Sequence, residues 1–291
     1  MKVFHHPQSN DTGINFDTLR KADNIAASLR RDPIEGVELV TATPVTIDEL
    51  AHVHTEEYLE ALVSGEPYDL ASSNGLGWDE RLLGAVCAST GAVRDAALEA
   101  LSTGRVAGAL SSGLHHARAD RGAGYCTVNG LVVAARAALI AGATRVLILD
   151  LDAHGGGGTA SLIDGFRGIE QVDVTVVGFD TYPSRPDARL ILSDAADYPS
   201  DVEGALGEID APAAIDLVLY NAGMDPHGAA GGRAAIGDSE IEARERMVFD
   251  WAEHHGIPVA WTLAGGYTGT IDMDELVRLH RMTILHGARR G

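Results

Sequence analysis

Cysteine is nearly absent from this 291-residue chain, which has only Cys87 and Cys126. That excludes a disulfide-stapled fold and fits reduced, intracellular usage. Positive charge is scarce as well. Lysine occurs only at Lys2 and Lys21, and 22 Lys and Arg stand against 42 Asp and Glu, for a formal net charge of −20 and a pI near 4.8. Nonspecific binding to nucleic acid or to an anionic membrane is disfavoured by that balance. No apolar run reaches membrane-spanning length, and the start, Met1-Lys-Val-Phe-His-His-Pro7, lacks the long apolar stretch of a secretion signal. Internal repeats, low-complexity segments and linkers are missing too. The expectation is one soluble, cytoplasmic domain spanning 1–291, with no nucleic-acid or membrane partner. The sequence leaves its oligomeric state open.

What is present is an ordinary globular composition, 45% hydrophobic and 22% charged, in which strand and helix patterns alternate. Strands are expected at Lys2–Phe4, Val37–Thr41, Val106–Ser111, Val146–Leu149, Val174–Phe179, Leu217–Tyr220 and Val259–Leu263. Helices are expected at Phe16–Arg30, Glu56–Ser64, Asp79–Thr103, Val128–Ile140, after Thr159, and at Ser239–His255 and Asp272–His286. Thr46-Ile-Asp-Glu49 reads as a capping box. The segments Gly65–Trp78 and Tyr182–Ile191 read as loops. This alternation predicts an α/β fold, three layers deep, around a mostly parallel sheet.

The chain is organised around Arg145-Val-Leu-Ile-Leu-Asp-Leu-Asp-Ala-His-Gly-Gly-Gly-Gly-Thr159. Val146 to Leu149 is the continuous apolar run of a strand buried on both faces. Asp150, Asp152 and His154 follow at intervals of two, so an extended chain would turn them to one side. Carboxylate oxygen with imidazole nitrogen suits a divalent metal such as zinc. Three other strands end in chemistry of their own, at His115-His116, Asp225 and Tyr267. All strand ends of a parallel sheet share one edge, where α/β folds bind ligands. Asp225 can therefore complete an Asp-His-Asp set with Asp152 and His154, leaving positions open for water and substrate. His5, His6, His52, His54, His254, His255, His280 and His286 have no comparable partner in the pattern and read as packing residues.

Five blocks give the chain a specific resemblance: Gly113-Leu-His-His-Ala117, Gly124-Tyr-Cys126 with Asn129, Asp150-Leu-Asp-Ala-His-Gly-Gly-Gly-Gly-Thr159, Ala222-Gly-Met-Asp225 and Gly265-Gly-Tyr267. With these blocks the chain resembles the zinc-dependent histone deacetylase and acetylpolyamine amidohydrolase family, of the arginase-deacetylase fold. His54-Thr-Glu-Glu-Tyr58 resembles a further family element. The resemblance implies Zn²⁺ on Asp152, His154 and Asp225, with His116 as general base and acid. His115 would be its electrostatic neighbour, oriented by Asp150, and Tyr267 the oxyanion donor. Tyr125 would wall the acyl tunnel, and Gly124 and Gly265 would border the substrate. It also implies a structural K⁺ at Asp150 and the carbonyls of Asp152 and His154. The implied substrate is a small acylated amine or an acyl-lysine.

The chain departs from the family pattern inside the glycine run. Gly155 and Gly157 stand where a second histidine and an Asp or Asn are usual, so His116 is expected to lack a polar orienter. Gly178-Phe179 stands where a serine often serves K⁺, Ala264 replaces the residue usual before the two glycines, and no second aromatic wall can be assigned. Two rival functions remain for comparison. A binuclear ureohydrolase of the same fold would need an aspartate where Gly156 stands, and glycine bridges nothing. A metal-keeping binding protein without turnover is favoured by Gly157 and opposed by Tyr267 and the two histidines.

Overall fold

Eight parallel strands form the sheet of the computed structural model, which describes residues 1–111, 114–233 and 235–290. They are β1 (Lys2–His5), β2 (Glu38–Thr41), β3 (Ala107–Ala109), β4 (Val146–Asp150), β5 (Ile169–Thr175), β6 (Ala188–Leu192), β7 (Leu217–Ala222) and β8 (Val259–Leu263), in the spatial order β2-β1-β3-β8-β7-β4-β5-β6. The α-helices among the described residues are α1 (Asp17–Arg31), α2 (Ile47–Ala51), α3 (Glu56–Ser64), α4 (Tyr68–Ala71), α5 (Leu82–Thr103), α6 (Gly130–Ile140), α7 (Gly157–Ile163), α8 (Tyr198–Gly207), α9 (Asp238–His255) and α10 (Met273–Ala288). None of these helices is long and apolar enough to cross a membrane. The α/β expectation, with a parallel sheet between helical layers, is met.

Alternation along β4 explains the layers. Val146 and Ile148 join the apolar cluster that includes Ala92, Ala96 and Leu131 from α5 and α6. Leu147 and Leu149 point the other way, into the cluster with Val202, Phe249 and Leu276 from α8, α9 and α10. All four are fully buried. A strand covered on both faces is apolar along most of its length, and here the polar run begins at its last residue, Asp150. Alanines dominate the buried face of α5, which brings that helix close to the strands.

Several boundaries differ from the sequence expectation. The fifth strand runs Ile169–Thr175, earlier than Val174–Phe179. Its register pairs Val146 with Ile169 and Asp150 with Asp173, and beyond Thr175 the chain peels off, with Val176 and Val177 N–H both bonding to Ala153 O. Strand β6 lies in the segment read as a loop. It is an edge strand, largely half-buried, and shows no clean apolar signature. Helix α8 was not anticipated, and the short α4 lies within the Gly65–Trp78 loop. The Thr46–Glu49 capping box is present, with both reciprocal bonds formed. Gly113, the first residue of one family block, lies outside the described residues.

Leu147→Ala removes a fully buried side chain from the central strand and should lower unfolding stability by about 2–5 kcal/mol, read as a lower urea midpoint at unchanged slope.

Candidate metal centre

The strands β3, β8, β7 and β4 lie side by side, so the four chemistry-bearing chain segments leave the sheet next to one another. Asp152, His154 and Asp225 each present a ligand atom within 4.8 Å of the others. His154 Nδ1 lies 3.1 Å from Asp152 Oδ1 and 3.2 Å from Asp225 Oδ2. The carboxylates are oriented from behind by backbone. Asp152 Oδ2 accepts from Gly265 N–H at 2.7 Å, Asp152 Oδ1 from His154 N–H at 3.0 Å, and Asp225 Oδ1 from Ala153 N–H at 3.0 Å. Asp225 Oδ2 is buried and has no hydrogen-bond partner among the described residues, with His154 Nδ1 3.2 Å away. A buried carboxylate oxygen without a donor, facing an imidazole and a second carboxylate, fits a divalent cation.

Gly265 is required by this arrangement. A Cβ there would stand 1.9 Å from Asp225 Oδ2. The residue expected to border the substrate thus also carries the amide that holds Asp152. Tyr267 follows it, its N–H bonded to Ala230 O and its ring 5.9 Å from that of Phe16.

His115 and His116 stack at 3.9 Å between ring centroids, and each has its own carboxylate. His115 Nδ1 lies 2.8 Å from Asp150 Oδ2, while Asp150 Oδ1 accepts from Asn221 Nδ2 at 2.8 Å and from Asp152 N–H at 3.2 Å. His116 Nδ1 lies 2.8 Å from Asp180 Oδ2. The expectation that His116 lacks a polar orienter is therefore corrected. Its partner comes from the turn after β5 instead of the glycine run, where the only trace in the sequence was the missing side chain at Gly157. Gly124 lets backbone approach the ring, since a Cβ there would meet His116 Cδ2 at 2.4 Å.

The electrostatics separate the two imidazoles. Burial lowers the basicity of His115, but Asp150 and Asp152 outweigh it and push its pKa up to about 10. Burial and the charge on His115 push His116 down to about 4. The two neighbouring rings are thus pushed in opposite directions. Without a cation beside it His154 rises to about 11, because Asp152 and Asp225 overcome its burial, and a metal ion bound there would take the place of that proton. Burial, together with Asp225 and Asp152, pushes the Tyr267 hydroxyl well up, so it stays protonated.

The pocket above these groups is about 20 Å³, room for roughly one water. Leu114, His115, His116, Gly124, Cys126, Asp152, His154, Asn221, Ala264, Gly265 and Tyr267 line it. Tyr125 is half exposed beside it, packed at 4.5 Å on Phe16. Phe179, about half exposed, stands edge-on to His116 at 5.1 Å and to His154 at 5.8 Å. Reading by sequence also missed two buried cations. Arg244 donates to Gly223 O and Leu151 O, tying β7 to β4 just before their metal-facing residues. Lys21 donates to Ala264 O and lies in the field of Asp225 and Asp152, although burial lowers its pKa to about 8.

The loop carrying the histidines is held by polar residues. Asn129 Nδ2 donates to His115 O, Ala117 O and Thr159 Oγ1. His54 Nδ1 donates to Arg118 O, and its Nε2 accepts Asn129 N–H at 3.0 Å. The packing role expected for His54 is thus a specific clamp in one neutral tautomer.

A family profile described as "Histone deacetylase domain" matches residues 16–281. An uncharacterized protein of Picosynechococcus sp. is 32% identical over 252 residues, covering 82% of this chain and 80% of the relative. Histone deacetylase 8 of Arabidopsis thaliana is 35% identical over 157 residues, 50% of this chain and 40% of that protein. Acetylpolyamine amidohydrolase 2 of Pseudomonas aeruginosa is 52% identical, but over 48 residues, 16% of this chain. In three dimensions, the crystal structure of the HDA15 HD domain superposes with a TM-score of 0.77 at 20% identity, covering 98% of this chain and 90% of that one, which is a likeness of fold.

Two outcomes follow from the geometry. The purified chain should retain a divalent cation through dialysis, and Asp152→Ala and Asp225→Ala should not, as read by elemental analysis. His54 should also link stability to pH. Its folded pKa, about 4, lies below the usual 6.5, because burial disfavours the charged ring. Between those values the unfolded chain binds a proton that the folded chain refuses, so this contribution is full above pH 6.5 and is lost as pH falls toward 4. The urea midpoint of the wild type should therefore fall more steeply than that of His54→Asn over that window.

Proposed function

Because the chain belongs to the histone deacetylase family, we propose that it is a zinc-dependent amidohydrolase that removes an acetyl or similar short acyl group from an amine. The observation that carries this reading is the meeting, around one small pocket, of Asp152, His154 and Asp225 with the His115-His116 pair and Tyr267. A bound zinc ion would polarise the acyl carbonyl and acidify a water beside it.

The remaining work falls to the chain's own side chains. His116, neutral and with its Nδ1 already engaged, presents Nε2 to take a proton from the attacking water and to return it to the departing amine. His115, held cationic by Asp150, places positive charge beside the centre where negative charge develops. Tyr267 keeps its proton and donates it as a hydrogen bond to the developing oxyanion. Phe179 and Tyr125, with Phe16 behind Tyr125, flank the approach with apolar faces and keep bulk water from it. The amine half of the substrate is taken as a small amine or a lysine side chain. The presence of Asp180 behind His116 removes the main ground for reading the chain as a binding protein without turnover.

Acetate release from a panel of acetylated amines and acetyl-lysine peptides tests this reading. Tyr267→Phe should keep zinc while kcat falls by roughly 100-fold or more. His116→Ala should behave alike. Absence of turnover on every amide by the zinc-loaded protein, or full activity after chelation, would contradict it.

A further inference from the structure

We propose that Asp180 is the positioning residue of His116, a carboxylate brought in from the turn after β5 to occupy the space that Gly157 leaves, and that Arg118 locks it there. This assignment deepens the deacetylase reading and rests on it. The spatial argument is direct. A Cβ built on Gly157 would lie 2.5 Å from Asp180 Oδ1 and 2.5 Å from Asp180 O. The aspartate side chain thus fills the volume that a side chain at 157 would need, and the two cannot coexist.

Asp180 is matched to its place by backbone as well as by charge. Its φ is +53°, the left-handed region that Asp and Asn tolerate better than most residues. That turn directs the carboxylate back over the start of α7. Three donors then converge on two oxygens. His116 Nδ1 and Gly158 N–H lie 2.8 and 3.3 Å from Oδ2, and Arg118 Nη2 lies 2.6 Å from Oδ1. Arg118 Nη1 also donates to His116 O at 3.0 Å, so one guanidinium grips both the carboxylate and the backbone of the histidine it orients. Only a carboxylate offers acceptors in both directions, because an amide in the same place would turn its NH₂ toward one donor.

The consequence is chemical. With Nδ1 committed to Asp180, the proton of neutral His116 sits there and Nε2 is left as the acceptor toward the pocket. Arg118 balances the charge of Asp180, so the carboxylate orients the ring while its negative charge is largely offset.

The test uses the full-length, zinc-loaded protein with Asp180→Gly, which keeps the backbone conformation, and Asp180→Asn, which keeps the shape. Asp180→Gly should lower kcat by roughly 100-fold with KM and zinc content unchanged, and Asp180→Asn should retain part of the activity. In ¹⁵N-histidine NMR, the downfield Nδ1–H signal of His116 should disappear in Asp180→Gly and broaden in Arg118→Gln, where the carboxylate is no longer locked. That signal is read without turnover, so it decides the assignment even if no amide is hydrolysed. If Asp180→Gly does not fold, Asp180→Asn carries both measurements. An unchanged kcat with an unchanged His116 signal would overturn the proposal. So would loss of zinc in step with activity in both variants, which marks a merely structural residue.

Discussion

Two carboxylates, Asp152 and Asp225, are buried at the ends of neighbouring strands with a single imidazole between them, and the rest of the molecule is arranged around that concentration of charge. Burying a carboxylate costs several kcal/mol unless something compensates it. Here the compensation is built into the backbone. Gly265, His154 and Ala153 point N–H groups at the carboxylates. Lys21, fully buried, adds positive charge in the field of both, while the charge of buried Arg244 is met by Glu245. Among the described residues one oxygen of Asp225 is still left without a donor, and it faces His154, the third member of the candidate metal set.

This constraint accounts for the sheet order. Asp152 and His154 leave β4, Asp225 leaves β7, and Gly265 leaves β8, and these three strands lie side by side. Arg244 pins the first two together through Leu151 O and Gly223 O. The histidine pair arrives from β3 on the far side of β8, and must therefore bend back over the site. Asn129, His54 and Thr159 hold that bend through the carbonyls and amides of residues 115–118 and 129. The polar residues of this layer work on backbone, which is why few of them look catalytic.

Charge is then divided between two stacked rings. His115 has Asp150 and Asp152 near it and stays cationic; His116 is buried beside that cation and stays neutral. The fold thereby makes two chemically different groups from two adjacent, identical residues. Their carboxylates come from different sources. Asp150 belongs to the central strand, whereas Asp180 is delivered by a turn between β5 and β6.

The apolar run Val146–Leu149, the spaced Asp150, Asp152 and His154, and the glycines after them were enough to place the buried strand and the polar loop that follows it, because these depend on local periodicity and on side-chain chemistry. The strand ends at His115, Asp225 and Tyr267 were legible for the same reason, and the parallel sheet brought them to one edge. Periodicity failed where pairing partners decide the structure: β5 took its register from β4, and β6 is an edge strand whose hydrogen bonds, not its composition, make it a strand. It failed also for Asp180, Phe179 and Lys21, which carry no motif and lie far in sequence from the residues they touch, and for Arg118, whose partner Asp180 is equally distant. Which side chain fills the gap beside a glycine is set by what the folded chain brings into that volume, and that volume exists only once the sheet has formed.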